Sequence, residues 1–88
     1  MKTIFRTSFL RDFKAVRDKQ LLSRLKNAIE QVDNAYSLAS VSSVKQLKGQ
    51  ANHYRIRIGD YRLALIVQDE VVTFVRFLHR REIYRYFP

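Results

Sequence analysis

The chain contains no cysteine among its 88 residues, which excludes disulfides, thiolate nucleophiles and Cys-ligated zinc. Its only glycines are Gly49 and Gly59, so it has no glycine-rich loop of the kind that cradles phosphates in nucleotide hydrolases. Acidic residues number 8 and they are scattered. Asp60, Asp69 and Glu70 fall in predicted turns at opposite ends of a sheet, and Glu82 stands alone. No carboxylate-held metal site is expected, no cofactor and no Ser-His-Asp arrangement. No apolar run approaches the length of a membrane span, and charges follow residues 1–5 within a few positions. No membrane partner is therefore expected, and the protein is read as cytoplasmic.

Positive charge is what the chain has in excess. Lys and Arg total 17 against those 8 acids, giving a formal charge of +9 and a pI near 10.4, the electrostatic footprint of a nucleic-acid binder. Seven of the nine basic residues after position 44 are arginine, whose planar guanidinium suits phosphate and base edges better than an ammonium does. Apolar residues make up 47%, enough to fill the modest core of one compact domain spanning 1–88.

Along the chain, Lys2 to Arg6 reads as a short strand. Ser8 is a candidate N-cap for a helix carrying Phe9, Leu10, Phe13 and Val16. A break near Arg17-Asp18-Lys19 precedes a longer helix with the apolar stripe Leu21, Leu22, Leu25, Ala28, Ile29, Val32 and Tyr36. After a small polar connection, Tyr54 to Ile58 and Tyr61 to Gln68 alternate in polarity around Gly59-Asp60, the pattern of a hairpin closed by a type II′ turn. Arg57 then lies opposite Arg62, and Arg55 opposite Ala64. Like charges in a cross-strand pair weaken a sheet by about 0.2–1 kcal/mol, so this arrangement points to a polyanion that rewards it.

A third strand, Val71 to His79, follows the acidic turn Asp69-Glu70. Closing that hairpin at Gln68 and Val71 puts Arg62 opposite Phe77 and Tyr61 opposite Leu78. One face should carry Tyr54, Ile56, Ile58, Leu63, Leu65, Val67, Val72, Phe74 and Leu78, and should cover the helices. The other should carry Arg55, Arg57, Arg62, Phe77 and His79, with Arg76 falling on the apolar face. The tail from Arg80 to Pro88 is pinned by Ile83 and Phe87 and interleaves arginine with Tyr84 and Tyr86, the make-up of a base-stacking platform beside phosphate ligands. The expected fold is α+β, in the order β-α-α-β-β-β. A helical hairpin packs on one face of a small antiparallel sheet whose other face stays open.

On that open face an RNA substrate would bring its own nucleophile, the 2′-hydroxyl, leaving the protein to position the scissile phosphate, neutralise its charge and move protons. Arginines serve the neutralisation, and His79 has the natural pKa for proton transfer. His53 reads as a loop residue. Lys45, Lys48, Arg85 and Tyr86 are the further RNA-binding candidates.

The run Leu47-Lys48-Gly49, the strands Tyr54-Arg55-Ile56-Arg57-Ile58-Gly59-Asp60-Tyr61-Arg62 and the closing His79-Arg80-Arg81-Glu82-Ile83-Tyr84-Arg85 together resemble the RelE branch of the RelE/ParE toxin superfamily, across nearly the whole chain. The resemblance implies a RelE-like fold, the toxin role in a type II toxin–antitoxin system and cleavage of mRNA in the ribosomal A site by 2′-hydroxyl attack. It also implies neutralisation by a cognate antitoxin in a hetero-oligomer. It assigns Arg57 and Arg62 to the scissile phosphate, Arg55 to orienting the 2′-hydroxyl, Arg80 or Arg81 to the leaving oxygen and Tyr84 to base stacking. The best-known members of the branch carry lysine where this chain has Arg55 and Arg57, and His79 is the expected substitute for the proton handler. The rival expectations are a ParE-like toxin acting on DNA gyrase and a non-catalytic RNA-binding module.

Overall fold

The computed structural model describes residues 1–88. Strand β1 (Lys2–Phe5) leads into helices α1 (Thr7–Ala15) and α2 (Lys19–Asn34), then a 3-10 turn at Leu38–Ser40. Strands β2 (Val44–Gln46), β3 (His53–Ile58), β4 (Tyr61–Gln68) and β5 (Val71–His79) follow, and a short helix α3 (Ile83–Tyr86) closes the chain. The strands form one sheet in the order β1-β5-β4-β3-β2. The expected α+β architecture is therefore present. Antiparallel pairing holds from β2 to β5, while β1 joins the far edge in parallel, Lys2 opposite Val71 to Phe5 opposite Phe74.

Asp18 caps α2, its carboxylate accepting from the N–H groups of Gln20 (2.9 Å) and Leu21 (3.2 Å), which explains the break at that point. The stripe of α2 buries Leu25, Ala28 and Val32, but the helix ends at Asn34 and leaves Tyr36 fully exposed. Phe5, Phe9 and Phe74 stack at centroid distances of 5.3–5.7 Å, fastening α1 to the β1–β5 pair. The main core lies between the helices and the sheet face that carries Ile56, Ile58, Leu63, Leu65, Val72 and Phe74.

Ser8 does not cap α1. That helix starts at Thr7, and the Ser8 hydroxyl donates instead to the carbonyl of Val75 at 2.7 Å. The reason lies at the sheet edge. β1 stops opposite Phe74, so Val75 to His79 have no strand neighbour on that side, and α1 supplies substitutes. The Arg6 N–H donates to Phe74 O (3.0 Å), and the Asp12 carboxylate accepts from Phe77 N–H (2.9 Å) and twice from the Arg76 guanidinium (2.8 and 3.2 Å).

The β4–β5 register changes at the same place. Gln68 pairs with Val71 as expected, but a bulge at Val75 shifts the remaining pairs, so Arg62 faces Leu78 rather than Phe77 and Tyr61 faces His79 rather than Leu78. An extra residue in one strand turns every later side chain over. Phe77 and His79 therefore join the helix side, while Arg76 and Leu78 join the arginine side, correcting the expected placement of all four.

The second face is not wholly open. Ile83 and Phe87 of the tail are buried on Ala64 and Val75, with Leu47, Ile66 and Leu78 packed around them. His53 is no loop residue. It opens β3, and its ring lies 5.0 Å from that of Phe87. The tail thus roofs one half of the face and leaves the half nearer the β3–β4 turn uncovered.

Candidate nucleic-acid interface

The uncovered half of the face is set by the β3–β4 hairpin, which adopts the expected register throughout: Ile58 with Tyr61, Arg57 with Arg62, Ile56 with Leu63 and Arg55 with Ala64. Gly59 takes φ +58° and Asp60 has no positive φ, the signature of a type II′ turn. Lys45 on β2 lies opposite Arg55. Two adjacent rows of the sheet therefore each hold a like-charged cross-strand pair, Lys45 with Arg55 and Arg57 with Arg62.

Arg62 is at the centre. It is the one charged residue in the buried set, 7% exposed, and its Nη1 donates to the carbonyls of Gly59 (3.0 Å) and Tyr61 (2.8 Å). Its pKa is held below the ordinary arginine value, first by burial, then by the charges of Arg57 and Arg55 and, last, of Arg80, with Tyr84 acting in the opposite sense. Each depressing influence is a cost that an anion binding beside Arg62 would offset. Arg55 points the same way, since its Nη1 is buried with no hydrogen-bond partner, whereas buried donors are normally satisfied. Among the 17 basic residues only Arg76 and Arg80 pair with a carboxylate, so Arg55, Arg57, Arg62 and Lys45 present uncompensated charge.

The tail alternatives separate. Arg80 and Tyr84 are near enough for their charges to bear on Arg62. The Arg80 backbone N–H donates to Asp60 O at 2.7 Å, and its Nε lies 4.0 Å from Asp60 Oδ1, so the β3–β4 turn holds Arg80 at the rim. Arg81 instead donates its N–H to His79 Nδ1 at 3.1 Å. Tyr84 is 55% exposed and makes no hydrogen bond through its hydroxyl within the chain, while the Tyr86 ring lies under the Arg76 guanidinium at 4.9 Å. Lys48 and Arg85 are exposed, Lys48 in the β2–β3 turn and Arg85 on α3, and nothing draws either into the arginine cluster.

His79 is the clear departure from expectation. Its ring meets Tyr61 edge-on at 5.4 Å, and it lines a cavity with Val16, Leu21 and Phe77 on the helix side. Turned over by the Val75 bulge, it does not serve the arginine face. Asp60, the anchor of Arg80, was not among the residues expected at the site, although its place in the turn beside Arg62 was the available signal. No three His, Cys, Asp or Glu side chains converge to form a metal cage.

The family model described as the ParE toxin of the type II toxin–antitoxin system parDE matches residues 3–84. The chain belongs to this family of type II toxin–antitoxin toxins. More particularly it is a RelE-type toxin: it is 40% identical to Toxin RelE3 of Methanocaldococcus jannaschii over the full length of both. Its fold matches the toxin in the RelB-RelE antitoxin–toxin complex from Methanococcus jannaschii, with TM-score 0.79 and 38% identity over 97% of this chain and 99% of that one. It also resembles a chain of the toxin–antitoxin complex RelBE2 from Mycobacterium tuberculosis, with TM-score 0.64 and 26% identity over 90% and 96% of the two chains.

Proposed function

We propose that this toxin is a ribosome-dependent endoribonuclease that cuts mRNA in the A site, with the RNA 2′-hydroxyl as nucleophile and no metal ion. The observation that carries the reading is Arg62, a buried and electrostatically strained guanidinium ringed by Arg55, Arg57 and Arg80. In this scheme Arg57 and Arg62 grip the non-bridging oxygens of the scissile phosphate. Arg55 offers its unpartnered Nη1 beside the 2′-hydroxyl, Arg80 meets the leaving 5′-oxygen, and Tyr84 stacks on a base. A guanidinium does not give up its proton under ordinary conditions, so water takes the 2′-hydroxyl proton as the P–O2′ bond forms and returns one to the 5′-oxygen as the P–O5′ bond breaks, while the arginines act by in-line positioning and by charge placed where the phosphorane develops. A cognate antitoxin, the kind of partner named in the related antitoxin–toxin complexes, would neutralise this toxin by covering the arginine face or displacing the tail with an acidic segment.

Primer extension on a defined mRNA incubated with the purified protein, with and without programmed ribosomes, tests the reading. Cuts at the A-site codon that need ribosomes, and need no metal beyond the magnesium that holds the ribosome together, are expected. Absence of cuts from protein that still arrests growth would overturn the reading. The match to a ParE model makes inhibition of gyrase supercoiling the assay to run next in that event. Retained RNA binding without any cut would leave a non-catalytic module.

A further inference from the structure

β2 begins at Val44, opposite Ile56, so on that side β3 has no strand neighbour at Arg57 and Ile58. Beside this free edge lies a notch of about 260 Å³ lined by Arg24, Asn27 and Gln31 of α2, by Ser43 and by Arg57. Positions 24, 27 and 31 fall on one face of α2 at i, i+3 and i+7. They place a guanidinium and two amides alongside the strand. No acidic side chain lines the notch, and Arg24 has no carboxylate partner. Its Nη1 lies 3.1 Å from where a Cβ on Gly59 would sit. Gly59 thus lets two guanidiniums reach one turn, Arg24 against its Cα and Arg62 on its carbonyl. Arg57 belongs both to this notch and to the phosphate face, so the two surfaces are continuous around the β3 edge.

Resting on the RNA reading above, we propose that this notch is a subsite for the nucleotide next to the scissile step. Arg24 holds the adjoining phosphate, and the Asn27 and Gln31 amides hydrogen-bond the edge of the base. Amides offer both a donor and an acceptor, the pattern that unpaired base edges require.

The test is fluorescence anisotropy with uncleavable 2′-O-methyl oligoribonucleotides of two to five residues, extended from either end, titrated at several salt concentrations. Extension in one direction should raise wild-type affinity and steepen the salt dependence by about 0.7 in logarithmic slope, one phosphate of a single strand. In Arg24→Gln the affinity ratio of the longer to the shorter oligonucleotide should fall to about one. Asn27→Asp, which adds a charge to the same notch, should do likewise. Both positions are exposed, and thermal melts confirm that each variant folds. An increment that survives in both variants would overturn the subsite while leaving the arginine face intact. If Arg62→Met still cuts ribosome-bound mRNA as wild type does, the RNA reading itself fails. If instead Arg24→Gln weakens only an antitoxin peptide, the notch is a protein-docking surface and the subsite is refuted.

Discussion

Arg62 and Arg57 are arranged against the interest of the fold. Facing each other across β3 and β4, they weaken the hairpin, and relief of that repulsion predicts that Arg57→Ala raises unfolding stability by about 0.2–1 kcal/mol. The same variant should lose at least tenfold in cleavage, so a denaturant melt beside primer extension would show stability and activity moving in opposite directions. Arg62→Met keeps the apolar stem and removes only the charge; it should abolish growth arrest while the far-ultraviolet spectrum stays native. The lowered pKa of Arg62 means that the folded state holds its proton less tightly than the unfolded chain. The resulting cost persists at every pH below its folded-state pKa and contributes no inflection near neutrality. With His79 on the far side of the sheet, His79→Gln should keep cleavage within about an order of magnitude in primer extension. A loss of about 10²–10⁴-fold, the scale of a missing general acid or base, would return His79 to the site. Alternation around Gly59 made Arg55, Arg57 and Arg62 legible as one cluster. The choice of Arg80 over Arg81 was not legible, because it depends on a bond from the tail back to the Asp60 carbonyl.

At the scale of elements, the two hairpins differ in how their turns are specified. Gly59 meets the positive φ of its turn at no steric cost, and adding a Cβ would also crowd Arg24. Asp69 and Glu70 both take positive φ, 52° and 63°, the type I′ pattern that prefers Asn-Gly. Glu70→Gly should therefore stabilise the protein by about 1 kcal/mol, read as a rise of roughly 4–8 °C in Tm for a domain of this size. Asp12 joins α1 to β5 through three hydrogen bonds. Asp12→Ala should cost about 1.5–3 kcal/mol, the scale of part-buried hydrogen bonds to a charged group, measurable by urea titration. The strand from Val71 to His79 was recognisable by its composition, yet its register was not. The bulge at Val75 accompanies bonds from Ser8 and Asp12, and no periodicity within β5 reports a helix more than sixty positions away.

On the scale of the whole molecule, a charge of +9 on a body of 32 × 27 × 23 Å steers polyanions from a distance, so association should slow steeply as salt rises. With the one scissile phosphate held by Arg57 and Arg62, the logarithm of RNA affinity should fall with the logarithm of salt at a slope of about −0.7, and Arg62→Met should flatten it. The sequence by itself determined the local features: the helices, the β3–β4 hairpin with its register, the arginine row and the basic-aromatic tail. Each follows from period, turn chemistry or charge within a dozen residues. Only the tertiary structure decided the parallel docking of β1 on β5, the bulge that sends His79 inward and Arg76 outward, and the seating of the tail that brings Arg80 and Tyr84 to Arg62. These depend on which backbone groups remain unpaired at the end of β1 and on which side chains of α1 and of the β3–β4 turn can reach them, a balance set between distant segments only once the sheet has formed.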